Sequence, residues 1–297
     1  MIKSKNMAFW GTVAALLANL IFGFSNLFSR LALNHAHPMF ILNARFTLAF
    51  IVLIVLATAK ICKLNLKGKD LKMPILLGTL QPLLYMIFEL YGISLTSSAV
   101  SGVMISLSPV LVALFAGFFL KEKTSLLQGV FAFFSFIGIA LIAFFSTDGK
   151  DNFLLGILFL LGAAVTAAAF NILGRKISSD FSPFERTFVT FAVSCIGFNI
   201  LTPFILKGDY LPSFERAFSS GEFIIAFLYL SLVSSIGAFL LYNFSVSHIS
   251  AVRASSFSNI ITVVSVLAGV FILNERLSLY QIIGCVIIII GVFGVNR

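Results

Sequence analysis

Charge is what this sequence lacks most. Only 10% of its 297 residues are Asp, Glu, Lys or Arg, whereas a soluble domain carries about a quarter. A polar exterior cannot be built from so few, which excludes an ordinary soluble globule. Catalytic signatures are missing too: no HExxH, no paired carboxylates, and no serine set beside a histidine in a triad-like pattern. Without a GxxxxGK[ST] stretch the chain alone has no ATP-hydrolysing loop. The three cysteines, Cys62, Cys195 and Cys285, lie far apart, with neither zinc spacing nor a disulfide framework. They read as small apolar residues, Cys62 being a free thiol in a loop. No metal, cofactor or enzymatic activity is expected.

What is abundant is apolar sequence. Hydrophobic residues make up 60% of the chain, and the mean hydropathy is +1.09. About twenty apolar residues in helical form cross the hydrocarbon core, with backbone polar groups satisfied inside each helix. A barrel would show short alternating segments instead. The runs here are long and continuous, near 8–28, 38–59, 73–94, 99–120, 126–145, 153–173, 183–205, 222–246, 251–273 and 278–296. The expected fold is therefore an all-α integral membrane protein of ten transmembrane helices. Its connections are short, the longest being loops at 60–72 and 207–221. The first run follows Lys3 and Lys5 like a signal peptide, but it is too long for a signal core and belongs to the repeat described below.

The net charge of +9 does not point to nucleic acid, because the bases sit between apolar runs, where orientation signals belong. With the N-terminus inside, fourteen Lys and Arg fall on the cytoplasmic side and six on the other, so both termini are expected in the cytoplasm. The lone tryptophan, Trp10, reads as an interfacial anchor.

Self-similarity is the most informative pattern. Leu120, Glu122, Ser125, Leu126 and Gln128 recur 153 positions later as Leu273, Glu275, Ser278, Leu279 and Gln281. Just upstream, Ser98-Ala99-Val100 matches Ser250-Ala251-Val252. Asn26 and Arg30 match Asn171 and Arg175 at an offset of 145, as do Gly11 with Gly156 and Pro38 with Pro183. The chain thus divides into repeats of five helices at 1–148 and 149–297. Five is odd, so the second repeat enters the membrane from the opposite side, the inverted arrangement of many carriers. Glu122 then falls inside and Glu275 outside, each at a helix end where capping or loop orientation is the expected role.

These elements resemble the EamA-type members of the drug/metabolite transporter superfamily. The resemblance spans nearly the whole chain. It rests on the two Leu-x-Glu-x-x-Ser-x-x-Gln elements, Gly284 completing the second, Pro109 in the fourth run, and Ala44-Arg45-Phe46 in the second. Phe131 stands where the first element would have glycine, and Thr262 where the ninth run would have proline. The resemblance implies a bacterial inner-membrane secondary carrier, often an exporter of amino acids or related metabolites. It also implies a cavity lined by the first, third, fourth, sixth, eighth and ninth runs.

Two ionisable residues, Arg45 and Glu89, lie clearly within apolar runs. A charge at a helix centre costs about 2.5–3.5 kcal/mol on insertion scales, so each needs a reason. One reading is a proton site or substrate anchor; the other is an Arg45–Glu89 ion pair joining the second and third runs. Gln81, Tyr85 and Glu89 stand at i, i+4 and i+8, one drifting face of a helix that Pro82 can bend. Asn19, Gly23 and Asn26 share a face of the first run, and Asn171 is the repeat counterpart of Asn26. Ser235, Phe239 and Tyr242, adjoined by Asn243, do so in the eighth, and Ser255, Asn259 and Thr262 in the ninth. Each set reads equally as interhelical hydrogen bonding and as substrate contact. The substrate expected is small and polar or amphipathic: an amino acid or amine, with nucleobase, nucleoside or drug-like molecules as alternatives. A membrane enzyme acting on lipid head groups is the remote alternative. Proton coupling through Glu89 and facilitated diffusion both fit, and oligomeric state leaves no mark in the sequence.

Overall fold

The computed structural model describes residues 2–105, 107–108, 110–112, 115, 126–145, 152–177, 180–249 and 257–295. Among them all regular structure is helical. In chain order the helices are α1 (Ile2–Leu33), α2 (Pro38–Thr58), α3 (Lys72–Leu95), α4 (Ser98–Ile105), α5 (Leu126–Phe145) and α6 (Phe153–Lys176). They continue as α7 (Pro183–Leu206), α8 (Tyr210–Phe218), α9 (Gly221–His248), α10 (Ser258–Phe271) and α11 (Leu279–Val295). Six of these, α1, α2, α3, α6, α7 and α9, are long and apolar enough to cross a membrane. The expected division between 148 and 149, Glu122, Pro109 and the Ser250–Val252 element lie outside the described residues.

Helix ends follow local chemistry. His37 caps α2 by accepting the Met39 amide, with Pro38 in the first turn where its missing N–H costs nothing. Ser182 and Glu185 form a reciprocal capping box at the start of α7. Ser278 and Gln281 do the same for α11. The Ser and Gln of the repeated sequence element are thus a helix-start signal.

One connection differs from expectation. Residues 207–221 are not an irregular loop but hold the nine-residue helix α8. It buries Ser213 and Ala217, exposes Leu211 and Phe214, and carries the exposed Asp209–Arg216 pair. Nine residues with Pro212 and two charges are too few and too polar to register as a span. They suit a helix lying at an interface. Tyr210 ties it to α2 through Asn43.

Packing sets the helices in pairs. α2 packs on α7, α3 on α6, α4 on α10 and α5 on α11, while α1 lies against both α9 and α10. Between α2 and α7 the rings of Phe46, Phe191 and Phe198 approach to 5.1 and 5.2 Å between centroids. Outward faces stay apolar, with Phe133, Ile196, Phe204, Ile225 and Phe271 all exposed. Such a surface is stable against lipid, not water. Trp10 is likewise exposed near the start of α1.

Candidate functional site

Two of the helices that line the cavity depart from regular α geometry. In α3, Gln81 is non-helical (φ −149°, ψ 122°) ahead of Pro82, and the backbone over Thr79–Leu84 forms wide turns. The peptide between Gln81 and Pro82 is cis. The expected continuous stripe is therefore broken: Tyr85 and Glu89 share one helical face, while Gln81 reaches the same space from across the break. Pro82 lacks an N–H and its ring obstructs the preceding turn, which is why the helix yields there. In α9, Tyr229–Ala238 also runs as wide turns, in the middle of an apolar helix. Such turns recur at functional sites because they redirect side chains without ending the helix.

Between these segments lies a partly open cavity. Seven of the polar residues singled out in the sequence line it: Arg45, Glu89, Tyr85, Gln81, Asn19, Asn171 and Tyr242. About 80 Å³ is open to the centres of water molecules, well beyond the roughly 10–15 Å³ that one water requires. Phe22, Met86, Ile105, Phe239 and Ile261 supply apolar wall, and Ser25, Ser108, Ser234 and Ser258 supply hydroxyls. Phe22 and Phe239 meet edge to face at 5.4 Å.

Arg45 and Glu89 both face this space, and no salt bridge joins them. Arg45 donates instead from Nε to Ser235 Oγ (2.7 Å) and from Nη2 to Ser234 Oγ (3.1 Å), with the Phe46 ring 5.4 Å from its guanidinium. The Ser234 hydroxyl in turn lies 2.7 Å from that of Ser25 on α1. Glu89 accepts from the Tyr85 hydroxyl at 2.7 Å, one turn earlier on α3. Each formal charge is thus held by neutral groups on its own side of the cavity. The ion pair joining the second and third runs, one of the two readings of these residues, is not formed. Tyr242 donates to Asn171 Oδ1, linking α9 to α6 along the wall. Asn19 spends its amide on the Ala15 carbonyl of its own helix (2.7 Å).

Three other candidates lie elsewhere. Asn26 donates to Ser265 Oγ (2.7 Å) between α1 and α10. Asn243 donates to Thr187 Oγ1 (2.9 Å), facing α7. Asn259 is half-buried on α10 and does not line the cavity. Asn26 and Asn171 are therefore equivalent in sequence but not in place.

The sequence reading missed Ser234 and Ser25, the hydroxyls around the guanidinium. Two adjacent serines in the middle of an apolar run were the available signal. It also missed a second buried arginine. Arg186, one of the fourteen bases expected on the cytoplasmic side, is 3% exposed and donates from Nη2 to the Asn243 carbonyl and Ser247 Oγ, both at 2.6 Å.

Among the described residues no three His, Cys, Asp or Glu side chains converge in a way that could hold a metal ion. The three cysteines are free thiols, with Cys285 buried. Nothing in the cavity resembles a nucleophile set beside a base. It offers instead fixed opposite charges, hydroxyls and rings around a small space, which suits reversible binding.

The profile of the EamA-like transporter family matches twice, at residues 9–144 and 154–297. The uncharacterized transporter YcxC of Bacillus subtilis (strain 168) is 32% identical over 287 residues, 96% of this chain and 92% of its own. The uncharacterized transporter YyaM of the same organism is 25% identical over 137 residues, 46% of this chain and 43% of its own. One solved crystal structure superposes with a TM-score of 0.66 at 17% identity, covering 96% of this chain and 95% of that one, a likeness of fold alone. The chain belongs to the EamA-like transporter family and is a multi-pass membrane transporter.

Proposed function

We propose that the protein is a secondary carrier that exports a small zwitterionic or cationic metabolite, an amino acid or related amine, by alternating access. One observation carries the substrate class: Arg45 and Glu89 face one cavity without pairing to each other. The guanidinium is placed to meet a carboxylate and the Glu89 carboxyl an ammonium, while Phe22 and Phe239 flank an apolar portion. Because no cation neutralises Glu89 directly, exchange of a proton for substrate at this carboxyl is the proposed coupling step. The aromatic wall and the Asn171–Tyr242 pair favour a nucleobase-like molecule as the second reading, moved by facilitated diffusion.

The proposed architecture is ten spans in two inverted repeats, 1–148 and 149–297, in a bacterial inner membrane with both termini cytoplasmic. The packing supports it. Exchanging the five spans of one half for those of the other leaves α2–α7, α4–α10 and α5–α11 as they are and turns α1–α9 into α6–α3. The double match of the family profile points the same way. Single cysteines at Lys123 and Arg276, in a cysteine-free background, should differ in labelling by an impermeant thiol reagent in intact cells. Arg276 alone should react; labelling of both positions, or of Lys123 only, refutes the topology.

A thermal-shift panel of amino acids, polyamines, nucleobases and sugars on purified protein tests the substrate class, since a ligand of the native state raises its melting temperature. Flux of the stabilising compound should follow in proteoliposomes. Stabilisation by nucleobases alone would move the conclusion to the second reading, and by sugars alone would refute both.

A further inference from the structure

Beyond one end of the cavity, three helices close on each other. Past the cavity residues Phe22 and Ser25, Ile105 and Ser108, and Ser258 and Ile261, the helices α1, α4 and α10 continue toward the same end of the bundle. There Ser265 Oγ receives Asn26 Nδ2 (2.7 Å) and lies 3.0 Å from the Gly23 carbonyl, while Thr262 Oγ1 donates to the Gly102 carbonyl (3.0 Å). A Cβ on Gly102 would stand 2.4 Å from that of Ser265, so α4 and α10 touch nearly backbone to side chain. Glu275 lies at the far end of this seam, in the connection from α10 to α11. Its Oε1 accepts the Ser98 amide (3.0 Å) and the Ser98 hydroxyl (3.0 Å), and its Oε2 accepts the Ala99 amide (3.1 Å). Its own amide donates to the Gly269 carbonyl (2.9 Å). No cation pairs with this carboxylate among the described residues.

We infer that Glu275 is the latch of a gate: its carboxylate holds the first turn of α4 to the α10–α11 connection and so keeps the cavity shut at this end. The inference rests on the reading of the cavity as the transport path. A carboxylate at a helix N-terminus accepts charge-assisted bonds from amides that have no partner within the helix, and the helix dipole favours it there. Parting α4 from α10 breaks all three bonds. Glu275 is half-buried and Ser98 and Ala99 are buried, so it is the parting itself that admits water to both sides. The contact is therefore strong enough to bias the gate and cheap enough to release. The other seam contacts described above are neutral and packed side to side.

The test uses the full chain with Cys62, Cys195 and Cys285 replaced and a single reporter, Ile105→Cys, at the cavity wall. Labelling by an impermeant thiol reagent is measured separately from each membrane face in oriented vesicles. Glu275→Ala should speed labelling from the Glu275 face by roughly tenfold or more, the factor by which one lost contact of this kind shifts a two-state population. Glu275→Gln keeps an acceptor oxygen but loses the charge, so its rate should be intermediate, and Ser98→Ala, which loses only the hydroxyl, should change it least. Labelling from the opposite face should fall or stay constant, because a released gate shifts the population one way. Equal rates from the Glu275 face in all variants overturn the latch, and so does a rise from both faces, which would report general loosening. A reporter that reacts only after denaturation, from neither face in any variant, removes the transport-path reading itself.

Discussion

The cavity and the seam beyond it are built by opposite rules. At the cavity α3 and α9 widen, glutamate and arginine stay apart, and side chains keep capacity to bind something else. At the seam α1, α4 and α10 narrow to glycine contact, and the carboxylate of Glu275 is satisfied by backbone and hydroxyl donors. A binding site must leave interactions unfinished, whereas a closure must finish them. That contrast separates two carboxylates, Glu89 and Glu275, which composition alone does not distinguish.

The contrast can be broken most severely at Gly102. Gly102→Val forces a side chain into a gap where even a Cβ stands 2.4 Å from Ser265. It should destabilise by about 3 kcal/mol, the upper end for an overpacked contact, read as lost expression and a lower melting temperature. Ala167→Val, whose methyls point into the cavity, should cost clearly less on the same assay. Similar losses at both positions would erase the distinction between open and closed regions.

Next in size is the support of Arg45. Ser234→Ala with Ser235→Ala removes both hydroxyls that receive the guanidinium. The expected cost is about 1–3 kcal/mol, the penalty for a buried polar group left unsatisfied. Adding Arg45→Met should restore part of it, since the stranded donors are then gone, and a double-mutant cycle measures that coupling.

Glu89→Gln should cost less still. With no salt bridge to lose, and with the Tyr85 hydroxyl still able to donate to the amide oxygen, stability should change by under about 1 kcal/mol. Gradient-driven uptake should nevertheless fail, while exchange at equal pH continues. Collapse of stability, as after removing one partner of a buried ion pair, would show that Arg45 depends on Glu89 after all.

The smallest effect is expected at His37, outside the spans. Burial pushes its imidazole below the ordinary value of 6.5, only partly offset by Asp209, and its Nδ1 must be unprotonated to accept the Met39 amide. A lowered value in the folded state means that this cap stabilises fully above the ordinary value and is lost as pH falls below it. His37→Asn keeps a capping oxygen and should flatten that part of the acid dependence of the melting temperature.

Much of this was legible because membrane helices announce themselves by long apolar runs, and because a repeated element shows where two halves correspond. Pro82 told of a bend in α3, though not that Gln81 would leave the helix. The repeated Glu and the Ser–Gln pair after it marked a helix end and a helix start. Which amides Glu275 would cap could not be read, because Ser98 lies 177 positions away. Arg45 posed the same difficulty: a neighbouring acid was the obvious partner, and its actual partners are two hydroxyls on α9. The sequence match of Asn26 with Asn171 misled, since positions equivalent in sequence meet different neighbours in the fold. α8 escaped notice because short, polar helices leave little imprint on hydropathy.

The wide turns in α9 set a condition on chain length. A backbone that closes its hydrogen bonds over one residue more than an α-turn holds a surplus residue within Tyr229–Ala238. Deleting one residue there would let the helix close up regularly. The flanking turns would keep their faces, because the wide turn already absorbs the surplus residue, while residues inside the segment would be re-aimed by up to about 100°, the angle each residue occupies in an α-helix. Ser234 and Ser235, inside it, would turn away from Arg45, whereas Tyr242 downstream would still reach Asn171. The surplus residue, as much as the serines themselves, is what aims two hydroxyls at the guanidinium.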